Sequence, residues 1–186
     1  MELKQAIYDR RAVREYTADV IDESELLALI EFAIQAPSAM NRQPWSFCVV
    51  RDQTLLKSIS DEAKAHLRLH APASFASDRI GQILNNPDFH IFYHAPAMVL
   101  ISATEDDAWS RIDCSLAAEN LMLAAVAAGL GSCWIGFAQG WLETAEGKAA
   151  LGLPASHLPV APIIVGHPLH VAPPTVRKKP DVRWIG

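Results

Sequence analysis

The chain has 186 residues, is 51% hydrophobic and carries a formal net charge of -5, which suits one domain with a sizeable core and excludes a disordered chain. The negative balance argues against a nucleic-acid-binding domain, whose footprint is a basic face over the whole domain. Seven of the 16 Lys and Arg nevertheless lie in two windows, Arg10 to Arg14 and Arg177 to Arg183, a pattern that points to a small anionic ligand, although solvated charge runs explain either cluster taken alone.

Cys48, Cys114 and Cys133 are odd in number and lack CxxC spacing, so neither a disulfide framework nor a zinc site is implied and a reducing cytoplasm is expected. The N-terminus has no apolar stretch of the signal-peptide kind. The longest apolar-rich run, Leu116 to Leu130, holds Glu119 and Asn120 and falls short of the ~20 residues of a membrane span. A soluble protein is the expectation.

Leu3, Ala6 and Ile7 stand at helical spacing, so a short helix over Met1 to Asp9 delivers Arg10, Arg11 and Arg14. The planar guanidinium fork matches phosphate oxygens, and Arg10 and Arg14 share a side whether the segment is helical or extended. A solvated basic patch is the bland reading of the same residues. Asp22-Glu23-Ser24-Glu25 has the D-x-x-E form of a capping box and opens a second helix, apolar at threes and fours from Leu26 to Ile34 and ending at Ala36.

The stretch from Ala36 to Phe47 reads as a shaped loop. Pro37 biases Ala36 away from helix, Pro44 fixes φ and removes a donor, and Ser38, Asn41 and Gln43 both donate and accept hydrogen bonds. Such a loop can grip a flat polar heterocycle, or its amides can cap their own backbone. Phe47 to Val50 reads as a buried strand, and Asp52 or Thr54 as the cap of a third helix to about Leu69 with Leu55, Ile59, Ala63 and His66 in one stripe. From Ala71 to His94, with Pro72 and Pro87, no single element emerges; a flap over a pocket competes with an ordinary surface excursion.

Pro96 to Ala103 reads as a central strand. Asp107 or Ser110 starts the longest helix, reaching about Ala128 and apolar on almost every side from Leu116, as for a helix buried against more than one neighbour; in so small a chain that favours a dimer core. Gly129 suits the left-handed position after the helix, Cys133 to Ile135 a strand, and Gly136 a close approach of backbone to ligand. Trp141 to Leu151 is expected as one short helix. Leu158 to Gly166 is expected as a strand with its prolines in the first half or at an edge, and Pro173 to Gly186 as an extended arm.

Several chemistries find no support. Gly129-x-Gly131 follows a helix and has Trp134 where a dinucleotide fingerprint needs a third glycine. His66 and His70, like His90 and His94, are spaced i,i+4 without HExxH or a carboxylate ligand. There is no G-x-S-x-G, and no base adjoins a cysteine. None of these absences counts against a cofactor enzyme, since redox chemistry carried by a cofactor asks the protein for binding, orientation and electrostatics rather than an acid-base pair.

The pattern P-S-x-x-N-x-Q-P-W, Pro37 to Trp45, resembles the FMN-binding loop of the nitroreductase family. Three further segments resemble that family in order and spacing: Arg10 to Arg14 its N-terminal flavin-phosphate segment, Asp113 to Phe137 its central helix and Gly-rich turn, and Val165 to Trp184 its closing strand and basic arm. The resemblance implies an α+β fold, a mixed and mostly antiparallel central sheet flanked by helices. It implies one domain over residues 1–186, with an arm from about 172 to 186 crossing to the partner of an intertwined homodimer, FMN at the interface.

By the same resemblance, Arg10, Arg11, Ala12 and Arg14, with Arg177 and Lys179 of the arm, stand at the phosphate end. Pro37, Ser38, Asn41 and Gln43 contact the ring or ribityl chain, and Trp134, Ile135 and Gly136 face the flavin edge, where backbone donates toward N5. Ala12 replaces the serine of many relatives, leaving a backbone contact, and the register of Arg177-Lys178-Lys179 is set only to within one residue. Implied further are NAD(P)H as donor, a small acceptor such as a nitroaromatic or quinone, ping-pong order, and neither a metal nor a catalytic side chain, because flavin N5 carries the chemistry. A flavin-destructase-like oxygen-dependent enzyme and a non-redox FMN carrier or sensor are the alternatives on that fold.

Overall fold

Strands Trp45–Val50 (β1), Ala97–Ala103 (β2), Gly131–Trp134 (β3) and Leu158–Gly166 (β4) pair antiparallel in the order β1-β2-β4-β3. The computed structural model that gives this sheet describes residues 1–70 and 79–186. The helices are Leu3–Asp9 (α1), Glu23–Ala33 (α2), Gln53–His70 (α3), Arg79–Asn85 (α4), Ala108–Ala127 (α5), Gln139–Leu142 (α6) and Ala145–Ala150 (α7). Among the described residues no helix is long and apolar enough to cross a membrane.

The central strands β2 and β4 are buried at every residue, and their nearly continuous apolar runs are what a sheet covered on both faces requires. The pleat sends alternate residues to opposite cores. Val99, Ile101, Ile163 and Val165 pack with Leu26 and Leu29 of α2 and Ala117 and Leu121 of α5. Met98, Leu100 and Ile164 pack with Leu56, Ile59 and Ala63 of α3 and with Phe92. Each such Val, Leu, Ile, Met or Phe side chain removed from water contributes roughly 1.5–3 kcal/mol.

Local signals hold where they are complete. The Asp22 and Glu25 capping box forms in both directions, Asp107 caps α5 through the N–H groups of Trp109 and Ser110, and Gly129 takes φ +77° after α5.

The sheet of named strands is antiparallel and has one parallel bridge beside it, Ala12 to Ser132, within the mixed and mostly antiparallel sheet expected. Two expectations are corrected. The strand with two prolines is central, not an edge, and Pro162 lies mid-strand: proline loses a donor but keeps an acceptor, and Pro162 O accepts from Ile135 N–H at 2.8 Å while Pro159 O accepts from the Gln139 amide. The helix expected over Trp141 to Leu151 breaks into α6 and α7, because Thr144 Oγ1 donates to Trp141 O at 2.7 Å and accepts from Gly147 N–H at 3.0 Å, ending one helix and capping the next. The helix α5 buries one face within the chain and leaves Trp109, Ile112 and Leu116 exposed on the other. The stretch from Ala71 to His94, read as either a flap or a surface excursion, contains α4 and a turn-rich run to His94, while residues 71–78 lie outside the described residues.

Candidate functional site

α1 ends where Arg10 leaves the helical region, at φ -57° and ψ 125°, with its N–H still bonded to Ala6 O. The chain then runs extended along β3, Val13 N–H donating to Ser132 O at 3.0 Å, so that successive side chains diverge. Arg10 Nε lies 3.3 Å from Glu119 Oε1 of α5. The Arg14 guanidinium stands 5.8 Å from the ring centre of Tyr93, within cation–π range. Burial pushes the Cys133 thiol of β3 up, while Arg14 and Arg10 both pull it down. Arg11 turns elsewhere, its guanidinium donating to Tyr8 O at 2.6 Å, Arg10 O at 2.8 Å and Pro173 O at 3.1 Å.

At the far end of β3, Trp134 is partly exposed and Ile135 is buried, its N–H committed to Pro162 O. Of the backbone donors expected there, Ile135 is therefore spent inside the fold. Gly136 is exposed, and a Cβ built on it meets nothing within 4 Å. Open space at a residue without a side chain lets a flat ligand approach main chain closely.

The second group of expected residues forms a pinned loop. A 3-10 turn spans Ala39–Asn41. Ser38 Oγ accepts from Gln43 N–H at 2.9 Å, and Gln43 Nε2 donates to Asn41 Oδ1 at 3.1 Å. Both readings of the amides thus apply: they bond within the loop, and Asn41 and Gln43 still lie at the surface, as does Pro37. Met40, Asn41 and Gln43 all have φ near +50°, at 53°, 55° and 51°, conformations that cost of order 1–3 kcal/mol each and cluster at ligand clamps.

Carboxylates of α5 and the preceding turn hold this strain. Ala39 N–H donates to both oxygens of buried Asp113, at 3.2 and 3.1 Å. Arg42 bridges Glu105 at 2.9 Å and Asp107 at 3.2 Å. The Asp107 carboxyl is held down at about 2, first by the Ser110 N–H and hydroxyl and then by Arg42.

These two groups do not meet in one chain. Arg10, Ala12, Arg14, Trp134 and Gly136 lie along β3, whereas Pro37, Ser38, Asn41 and Gln43 precede β1, and β1 and β3 are opposite edges of the sheet. Three strand intervals, roughly 14 Å, separate those edges. Arg177 and Lys179 are exposed on an arm without helix or strand. Asp113, Glu119 and Tyr93 also touch these residues and were not among those expected at the site. Asp113 had a signal, being an acid on the buried stripe with Cys114 and Ala117; the other two are recognisable only through their partners.

Among the described residues no group of three or more His, Cys, Asp or Glu is placed to hold a metal. His66 stacks on His70 at 4.1 Å and His90 tilts against His94 at 4.6 Å, ring contacts within pairs.

A helix-flanked antiparallel sheet with an arginine-bearing segment along one edge and an amide loop before the other defines an α+β protein. Residues 7–167 match the model of the nitroreductase family, and the chain belongs to that family. It is 32% identical over 167 residues to a protein of Archaeoglobus fulgidus that carries an NADH dehydrogenase/NAD(P)H nitroreductase name, covering 90% of this chain and 86% of that one. It superposes on a Desulfitobacterium hafniense nitroreductase crystallised with bound FMN at TM-score 0.85, with 26% identity and full coverage of both chains. A Bacteroides fragilis nitroreductase with bound FMN gives TM-score 0.78 and 28% identity over 98% of this chain and 95% of that one.

Proposed function

We propose that the chain is an FMN-dependent oxidoreductase that takes reducing equivalents from NAD(P)H and passes them to a small acceptor such as a nitroaromatic or quinone, in ping-pong order. The observation that carries this reading is the division of the site. Arg10 and Arg14 lie on the segment that runs along β3, and the strained amide loop precedes β1, an entire sheet width away, so one FMN takes its phosphate from one protomer and its loop contacts from the partner of a twofold dimer. The donor set suits the cofactor: guanidinium forks for a phosphate, open space beside Gly136 for a ring edge, and exposed amides of Asn41 and Gln43 for a polar heterocycle. Bound FMN supplies the redox-active atom; the protein binds, orients and excludes water.

The exposed surface supports the dimer. Trp109, Ile112 and Leu116 form an open stripe on α5, and on the arm Val176 is 95% and Trp184 and Ile185 90% exposed, apolar area of the kind that marks an interaction surface. An arm packed on the partner brings Arg177 and Lys179 with it as further cations.

The test is reconstitution. Purified protein titrated with FMN, riboflavin and FAD is expected to prefer FMN, to bleach on addition of NAD(P)H and to recover colour with a quinone. Failure to bind FMN overturns the reading. Bound flavin that NAD(P)H leaves oxidised would indicate a carrier or sensor, and disappearance of FMN under air with excess reductant would indicate flavin breakdown.

A further inference from the structure

Arg11 makes three hydrogen bonds, none to a side chain. Nη1 reaches Tyr8 O and Arg10 O at the end of α1, and Nε crosses 162 positions of sequence to Pro173 O at the base of the arm. The end of a helix leaves carbonyls without intrahelical donors, and α1, seven residues long, is too short to be stable by itself; a cation there also meets the negative end of the helix dipole.

The third bond continues a ribbon. Thr17 N–H donates to His167 O and Leu169 N–H to Glu15 O, both at 2.9 Å, with Tyr16 bridged to Pro168 between them. Arg11 and Pro173 fall on the same antiparallel register. Between those rungs the main chain is diverted, since Val13 N–H is given to Ser132 on β3. The Arg11 side chain supplies the next tie.

We infer that Arg11 is a positioning residue that joins the end of α1 to the base of the C-terminal arm, so that Arg10, Arg14 and the arm cations are presented to a phosphate as one cradle. The inference rests on the proposed phosphate role of Arg10. It makes the geometry of the guanidinium, three donor directions onto carbonyls, the property that matters. Lysine keeps the charge but is a single point donor on a flexible stem.

The test compares Arg11→Lys, Arg11→Ala and Arg10→Ala in the FMN-reconstituted, full-length protein, reading FMN and riboflavin dissociation constants and the exchange rates of the Thr17 and Leu169 amides, with the β2 and β4 amides reporting the core. Arg11→Lys and Arg11→Ala are both expected to lose about tenfold in FMN affinity, to leave riboflavin affinity unchanged and to speed exchange at Leu169. An Arg11→Lys protein with normal FMN affinity beside a weakened Arg11→Ala protein would make Arg11 a charge contact and overturn the inference. Normal FMN affinity or normal Leu169 exchange in both variants also overturns it. Should Arg10→Ala weaken FMN and riboflavin equally, the phosphate reading itself fails and the Arg11 inference falls with it.

Discussion

The Ala39 N–H is shared between the two carboxylate oxygens of Asp113, at 3.2 and 3.1 Å, across 74 positions of sequence. Asp113 is 2% exposed, so the bond is made out of contact with water, at the start of the turn that carries three left-handed non-glycine residues. Removing the acceptor leaves a backbone donor unpaired, a loss of about 1–3 kcal/mol. We expect Asp113→Ala to lose that much stability in denaturant unfolding and to raise amide exchange at Ala39, while Asp113→Asn, which retains an acceptor oxygen, holds most of both. Equal damage from Asn and Ala would show that charge, not acceptance, is what the loop uses.

The divided site predicts complementation. An Arg10→Ala,Arg14→Ala protein and an Asn41→Ala,Gln43→Ala protein are each expected to bind FMN weakly, the first losing about 1.5–3 kcal/mol per arginine contact. A dimer with one chain of each kind has one site made wholly of intact halves and one impaired twice. Mixing after partial unfolding and refolding should therefore restore tight FMN binding at half the sites of the mixed dimer. No recovery in purified mixed dimers would place both halves in one protomer.

His90 is buried, and its imidazole is pushed down to about 4, first by burial and then by His94, with Lys57 and Lys64 adding to the effect and Asp61 opposing it. Its Nδ1 accepts from Phe92 N–H at 3.2 Å, a bond that requires that nitrogen to be unprotonated. In the unfolded chain the ring titrates near 6.5, so between about 6.5 and 4 the unfolded state binds the extra proton. The stabilising contribution is complete above about pH 6.5 and is lost as pH falls toward 4, with a slope of at most about 1.4 kcal/mol per pH unit for one proton. Unfolding free energies of wild type and His90→Gln from pH 7.5 to 4 should converge as pH falls. Parallel curves would refute the assignment.

A Cβ added at Gly131 would lie 2.8 Å from three side-chain carbons of Val13. The arginine segment has to move off β3 to accept it, and overpacking of this kind costs about 1–3 kcal/mol. Gly131→Ala is expected to weaken FMN and to lower the melting temperature, whereas Gly136→Ala, which meets nothing within 4 Å in the protein itself, should keep its melting temperature and lose flavin affinity alone. Loss of stability in both would remove the distinction between a packing glycine and a ligand-facing one.

Features that depend on neighbours a few residues apart were legible in the chain alone. The capping box of Asp22 and Glu25, the glycine after α5, the continuous apolar runs of β2 and β4 and the prolines that bound the Ala36 to Phe47 loop are all local, and periodicity with cap chemistry is enough to place them. The candidate residues were legible because their motifs are contiguous. Tertiary structure alone decided how they combine. Strand order put β1 and β3 on opposite edges and so set those residues in two separate groups, seated Pro159 and Pro162 in a central strand whose carbonyls find remote donors, and left one apolar face of α5 open. It also turned Arg11 toward Pro173 and brought Asp113 beneath Ala39. Such pairings form between residues tens to more than a hundred positions apart and are selected by which faces can be buried together, a competition among all the elements that no local stretch of sequence encodes.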